Sequence, residues 1–372
     1  MKDLPGGKVA IVHDWLVGGG AEQVVLELHR MFPDAPIYTS YCTNEWRTRL
    51  DNKVLTGYLQ YWPFSRLRKF IPFLRAYWFS HLKLVGFDVV ISSSGAEAKG
   101  VKVPKGTLHF NYCHSPTHYY WLRYDEYMKR PGFGIFDPLA RLGLRLLVEP
   151  MRRWDYKAAQ RPDVMIANSS FTQTNIEKYY GRDSVVIHPP VDVERFSSQL
   201  SALSSKKNRS GFITAGRQTP YKRIDLAVAA CTKLSLPLTV IGKGPEHRKL
   251  VKRAGSTVTF LENVANEELP QHFQSAEAFI FPGIDDFGIV AVEAMAAGTP
   301  VIAYKGGGTL DYVIPGKTGV IFEKQSVKSL CTALIECQTH GWQFKNIAIH
   351  AQPFSDIKFR QKFQELLKGV RS

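Results

Sequence analysis

Cysteine is scarce in this chain of 372 residues: Cys42, Cys113, Cys231, Cys331 and Cys337 are five in number and lie far apart. No two are spaced C-x-x-C and none joins histidines at zinc-ligand spacing. That excludes a disulfide framework and a structural zinc module, and fits a reduced, cytoplasmic protein. Long hydrophobic runs are missing too. No stretch of about 18 uncharged apolar residues occurs, so no segment reads as a spanning helix. The opening MKDLPGGKVAIVHDW breaks its apolar run at His13 and Asp14 and does not read as a secretory signal. Neither G-x-G-x-x-G nor the Walker pattern is present. No two aspartates stand two residues apart, so the D-x-D signature of a metal-held nucleotide is absent; neither a metal nor another cofactor is expected.

Acid is also short. Asp and Glu number 33 against 48 Lys and Arg, a net charge of +15. Such a balance points to an acidic partner: nucleic acid, an anionic membrane surface or phosphorylated ligands. The deficit is sharpest in YLQYWPFSRLRKFIPFLRAYWFSHLKLVGF (58–87), which holds no acidic residue at all. There Arg66, Arg68, Lys69, Arg75 and Lys83 alternate with Tyr, Trp, Phe and Leu. A basic, aromatic, amphipathic stretch suits an anionic membrane interface, with Arg66, Arg68, Lys69 and Arg75 as the contacts. Stacking on nucleic-acid bases competes with it, as does a core helix with a basic rim. The membrane surface is favoured.

What is present is ordinary globular material, 44% hydrophobic and 22% charged, and long enough for two domains. Short β-branched runs alternate with helical patterns. KVAIVHDW, DVVISSS, TLHFNYCHS, VMIANSS and SVVIHPPVD are predicted strands of a first half. A Ser-rich stretch, SSQLSALSSKKNRSG, then reads as a linker. The rhythm restarts with GFITAGR, PLTVIGKGP, TVTFLENV, AFIFPG and PVIAYKGGG, and FSDIKFRQKFQELLKGV (354–370) is a predicted amphipathic helix. Strands of four to eight residues separated by helices predict two parallel, doubly wound sheets with a cleft between them. Ligands in such sheets sit at the carboxyl ends of the strands.

Three places there can carry chemistry. GGGAEQVV (18–25) offers backbone N–H groups at a helix start to an anion. In AGRQTPYKRID (215–225), Arg217 and Lys222 leave a strand end together and suit a diphosphate. In GIDDFGIVAVEAMAAGTPV, Asp285 sits in the loop and Glu293 in the first helical turns. Carboxylates only accept hydrogen bonds, so these acids suit sugar hydroxyls rather than phosphates. YKGGGTLDYV adds a further glycine loop. His114, in YCHSPTHYYW, ends a predicted strand, a position where a hydrogen-bonded structural role and a catalytic one are about equally open.

In that order, GR-x4-K (216–222), DDFGIVAVEAMAAGTPV and GGGTLDYVIPGKTGVIF resemble the retaining glycosyltransferases of family 4. VHDWLVGGGAE, VVISSS and YCHSP match as well, and the look is nearest to bacterial mannosyltransferases of O-antigen and exopolysaccharide synthesis. The resemblance covers essentially the whole chain. It implies an α/β, GT-B fold: two Rossmann-like doubly wound domains facing a central cleft. Residues 1–196 would form the acceptor-side domain, 197–210 the linker and 211–353 the nucleotide-sugar domain. The tail, 354–372, would pack back on the first domain. The donor would be a sugar nucleotide, GDP-mannose before a UDP-sugar, and the acceptor a lipid-linked glycan at the inner membrane face, with no nucleic acid involved.

The same resemblance assigns residues. Arg217 and Lys222 would hold the diphosphate and Glu293 the ribose hydroxyls. The loop Asp285, Asp286, Phe287, Gly288, Ile289 and Val290 would meet the donor sugar and phosphates. Gly216 belongs to the same phosphate-side turn, and Gly242 and Val264 would flank the base. Gly19 and Gly20 would approach the diphosphate and His114 the donor sugar. Retention is expected by attack on the face the leaving group departs from, the phosphate itself helping take the acceptor proton, so no protein nucleophile is assigned. Two positions depart from the family. Its E-x7-E begins with Glu where this chain has Asp285, one methylene shorter, and His118 stands where the family commonly has Arg. A rival from another class is a non-catalytic basic protein that binds a membrane or nucleic acid through residues 58–87.

Overall fold

The computed structural model describes residues 7–68, 70–129, 131, 134–198 and 209–371. The chain divides into two compact units after His188. In the first, seven parallel strands are β1 (Val9–His13), β2 (Ile37–Thr39), β3 (Val54–Leu55), β4 (Val89–Ser94), β5 (Leu108–Cys113), β6 (Val164–Ala167) and β7 (Val185–Val186). Their order in the sheet is β3-β2-β1-β4-β5-β6-β7. The second unit has β8 (Phe212–Ala215), β9 (Leu238–Ile241), β10 (Val258–Leu261), β11 (Ala278–Phe281), β12 (Val301–Tyr304) and β13 (Gly319–Phe322). These are ordered β10-β9-β8-β11-β12-β13, again all parallel.

Both sheets reverse their winding direction once, between β1 and β4 in the first and between β8 and β11 in the second. A crevice opens outside the strand ends at such a switch point, because the flanking connections leave to opposite faces. The sequence supplies the strands for a sheet covered on both faces: Ala10, Ile11 and Val12 of β1, and Ala278, Phe279 and Ile280 of β11, are fully buried. β4 departs from that composition, since Ser92, Ser93 and Ser94 are buried in the middle of the sheet. Their hydroxyls are used: Ser92 Oγ lies 2.8 Å from His109 Nε2 and accepts from Asn111 Nδ2 at 2.8 Å.

The strands expected from sequence all form, and β2, β3 and β13 join them. β2 and β3 span only three and two residues, too short for an alternation pattern. Val191, Val193 and Phe196, expected to close the first domain, instead lie in the core of the second unit with Phe273 and Ala291. Of the Ser-rich linker, residues 199–208 lie outside the described residues. The tail is a helix, Asp356–Arg371, with Phe359, Phe363 and Leu367 buried along one side.

Candidate active site

At the carboxyl end of the second sheet, loops from five strands are locked together by backbone approaches that leave no room for side chains. A β-carbon at Gly242, after β9, would lie 2.6 Å from the Gly216 carbonyl oxygen after β8, and one at Gly244 2.5 Å from that of Gln218. At Gly283, after β11, it would lie 2.6 Å from the Tyr221 carbonyl oxygen, and at Gly307, after β12, 2.5 Å from that of Asp285. Gly308 N donates to the Asp285 carbonyl at 2.9 Å, and Gly242 N to the Leu261 carbonyl at 2.8 Å. Gly242, Gly244, Gly283 and Gly307 are therefore structural clasps.

Lys222 and Asp285 meet across the switch point, Nζ to Oδ2 at 2.5 Å, with side chains 18% and 19% exposed. The Lys222 ammonium also stands 5.4 Å above the centre of the Phe281 ring. Arg217 projects outward from the same turn, its side chain exposed. Gly288 has a left-handed φ of 89° and opens the helix Ile289–Ala296. Tyr312 fixes that opening by donating to the carbonyls of Phe287 at 2.8 Å and Gly288 at 3.1 Å. Ile289 and Val290 are half-buried on the first turn, and Asp286 is half-buried in the loop before it. Val264 packs its side chain on the core of this unit.

Glu293 is half-buried, its side chain 19% exposed. Burial pushes its carboxyl up to about 7; the Arg195 guanidinium, 3.9 Å away, opposes the shift and Asp192 adds to it. The carboxylate is thus held in a poorly solvated place with one distant cation, a position that favours a ligand able to donate hydrogen bonds. Arg195 carried no signal in the sequence. Nor did Gln218, which is buried, donates to the Gly242 carbonyl at 2.6 Å and meets His247 Nδ1 at 2.9 Å through its Oε1.

The corresponding end of the first sheet is held by side chains. Asp14, after β1, accepts from the backbone N–H groups of Gly95 (2.8 Å), Ala96 (2.9 Å) and Ala98 (2.7 Å) after β4. Gly18, Gly19 and Gly20 form an exposed loop leading into the helix Gly20–Met31, and Glu22 folds back to accept from Gly18 N at 3.0 Å. His114 stands just beyond β5, its backbone N–H donating to the Ser94 carbonyl at 2.9 Å and its ring Nε2 2.7 Å from Ser93 Oγ. His118 is half-buried one turn later. Behind this segment lie two fully buried ion pairs, neither visible in sequence. Lys99 Nζ meets Asp155 Oδ1 at 2.7 Å, and Asp155 also accepts from Thr117, Trp121 and Tyr180. Arg75 places Nε and Nη2 on the two oxygens of Glu97, each at 2.9 Å, and Nη2 also donates to Tyr119.

That second pair corrects an expectation. The sequence pattern places Arg75 at a membrane surface, but it is 2% exposed and belongs to the core. The basic stretch is not one helix: Pro63 and Pro72 divide it into a turn at Tyr58–Gln60 and helices Phe64–Leu67 and Pro72–Ser80. Arg66 is exposed, Arg68 is half-buried over the Tyr41 ring at 4.6 Å, and Lys69 lies outside the described residues. Tyr61, Trp62, Phe70, Phe73 and Tyr77 are exposed around them. A second apolar surface lies on a helix that the sequence motifs do not mark. The helix Asp137–Ala159 buries Val148, Met151 and Asp155 on one face, and on the opposite face exposes Leu139 (68%), Leu142 (54%) and Leu146 (67%). Arg145 and Arg153 are exposed on the same helix. Among the described residues no helix is long and apolar enough to cross a membrane, and no group of three or more His, Cys, Asp or Glu could hold a metal ion.

Comparison with known proteins follows the two units. Residues 18–195 match the family model "Glycosyltransferase Family 4" and residues 196–340 match "Glycosyl transferases group 1". A GDP-mannose-dependent alpha-(1-6)-phosphatidylinositol monomannoside mannosyltransferase of Mycolicibacterium smegmatis is 27% identical over 53% of this chain and 56% of its own length. The chain thus spans about half the length of that relative. The alpha-1,3/1,6-mannosyltransferase of Schizosaccharomyces pombe is 25% identical over 98% of this chain and 81% of its own. Among solved structures, Anabaena HepE in complex with UDP and glucose superposes with a TM-score of 0.67 at 18% identity, covering 98% of this chain and all of that one. The fold is GT-B, built on two Rossmann-like parallel sheets.

Proposed function

We propose that this chain, of the glycosyltransferase group 1 and family 4 type, is a retaining hexosyltransferase that moves mannose from GDP-mannose onto a lipid-linked glycan at a membrane face. The observation that carries the reading is the Lys222–Asp285 pair at the switch point of the second sheet, 2.5 Å long and flanked by Arg217 and the helix opened by Gly288. Breaking a sugar–diphosphate bond places negative charge on the departing phosphate. Arg217, Lys222 and backbone N–H groups at the helix start can stabilise that charge without a metal, and being fixed beforehand they need not reorganise as it develops. Asp285 holds Lys222 in place and offers an acceptor to the donor sugar. Glu293 accepts from the ribose hydroxyls. In the first unit, the Gly18–Gly20 loop and His114 are the groups we assign to the diphosphate and the donor sugar.

The choice of mannose rests on what the relatives are named for, and the UDP held by HepE makes a UDP-sugar the competing donor. A lipid-linked acceptor is supported by the two exposed apolar surfaces of the first unit. Exposed leucines beside arginines fit the interface of an anionic bilayer, where side chains enter the acyl boundary and cations meet headgroups.

The test is calorimetric titration of the protein against GDP, UDP, GDP-mannose and UDP-glucose, with and without EDTA. Binding of the guanine pair, unchanged by EDTA and lost in Arg217→Ala, is the expected result. Preference for the uridine pair would replace the donor. Silence with all four would end the transferase reading and leave a binding protein whose working surface is the aromatic and leucine patch.

A further inference from the structure

His114 and His13 sit on either side of one serine, and the hydrogen bonds around it determine where the protons are. The register of β1 on β4 sets His13 directly beside Ser93. His13 Nδ1 lies 2.8 Å from the Ser93 carbonyl oxygen, an atom that can only accept. His13 therefore carries its proton on Nδ1. The Ser93 hydroxyl, 3.2 Å from that same nitrogen, cannot donate to it. Buried as it is, the hydroxyl still needs an acceptor for its proton, and His114 Nε2, 2.7 Å away, is placed to be that acceptor. Both His13 and Ser93 are buried, at 3% and 0% exposure, so water does not compete for these bonds.

We propose that Ser93 is a positioning residue that holds neutral His114 in the tautomer with its proton on Nδ1. Nε2 is committed as an acceptor inside the protein. The nitrogen on the other edge of the ring is then an N–H donor. A neutral imidazole presenting N–H binds a hydroxyl or phosphate oxygen and does not take a proton from one. His114 thereby serves its ligand as a hydrogen-bond donor rather than as a general base, in keeping with a reaction in which the leaving phosphate receives the acceptor's proton. The identity of that ligand as the donor sugar rests on the function proposed above; the tautomer does not.

The experiment is nitrogen-15 NMR of the full chain labelled at histidine, the His114 signals being assigned by their loss in His114→Gln. The expected spectrum has a pyrrole-type Nδ1 and a pyridine-type Nε2 at His114. In Ser93→Ala that preference collapses to a mixture, and transfer falls about tenfold in kcat with little change in KM for the donor. Ser93→Thr keeps the hydroxyl and keeps both. A protonated Nε2 in the wild type overturns the proposal. So does a tautomer unmoved in Ser93→Ala, or a threonine variant that behaves like alanine. Should the alanine variant not fold, the wild-type spectrum and the threonine variant still decide it. Normal transfer by His114→Gln would instead remove His114 from the donor site while leaving the tautomer assignment standing.

Discussion

The two units solve one problem by opposite means. Each must hold the loops beyond its sheet's carboxyl end in a fixed arrangement. The first does so with buried charge: Lys99 on Asp155, Arg75 on Glu97, Asp14 on three backbone N–H groups. The second does so with bare backbone, loop against loop at glycines, and keeps its charged pair, Lys222 and Asp285, partly open to solvent. Buried pairs cost several kcal/mol per ion to desolvate and tolerate no loss of a partner. A glycine clasp has no such penalty and leaves its charges available to a ligand. Rigidity in the first unit should therefore be fragile to charge removal, and in the second it should not.

The largest effect should come from Lys99→Met, which strands Asp155 in the core. We expect a loss of about 3–5 kcal/mol in urea unfolding, with much of it regained when Asp155→Asn is added, which removes the stranded charge and keeps an acceptor for Thr117, Trp121 and Tyr180. An additive double variant would break the comparison. Next, Lys222→Ala should lower transfer by about a hundredfold to a thousandfold, while leaving the melting temperature within a few degrees of wild type. A large loss of stability there would mean the open pair is structural after all.

Glu293 sharpens the contrast within the second unit. Burial pushes its folded carboxyl up to about 7 from the ordinary 4.5. A raised carboxyl binds its proton more tightly folded than unfolded, so stability should fall as pH rises through the window from 4.5 to 7 and stay level above it. Glu293→Gln should remove that slope and be more stable at pH 8 by about 3 kcal/mol, with no advantage at pH 4. Nucleotide affinity should follow the opposite course, rising with pH as the carboxylate forms and losing its pH dependence in the glutamine variant. The smallest effect is expected on the first unit's surface. Leu142→Ser with Leu146→Ser should weaken sedimentation with vesicles containing anionic lipid by about tenfold, with folding unchanged. Unaltered binding would remove this helix from the membrane reading.

This division also explains what could be read from sequence. The second unit's clasps need glycine, and its charges lie within a few residues of them, so GR-x4-K and DDFG announce themselves as local strings. Even there, Arg195 was invisible, because it reaches Glu293 from a segment that sequence placed in the other half. The first unit's ion pairs join residues on separate elements, and no local pattern links Lys99 to Asp155. Arg75 looked like a surface cation for the same reason: its aromatic neighbours are adjacent in sequence, and Glu97 is not. The leucine stripe is not singled out in sequence because Leu139, Leu142 and Leu146 stand at ordinary helical spacing, and spacing does not say whether another element covers them. The parallel sheets are legible in sequence apart from β2, β3 and β13, since buried β-branched runs need no partner to be recognised.

The glycine clasps also set how this scaffold could acquire a different specificity. Positions 242, 244, 283 and 307 accept no side chain without displacing a neighbouring strand's loop. Random variation there yields damaged protein rather than altered preference. The routes left open run through residues that are exposed or half-buried and make no clasp, such as Glu262 and Val264. A mutant library restricted to such positions would explore recognition while leaving the frame intact, and the few sites at which change is useful are separated in the chain from the many at which it is not.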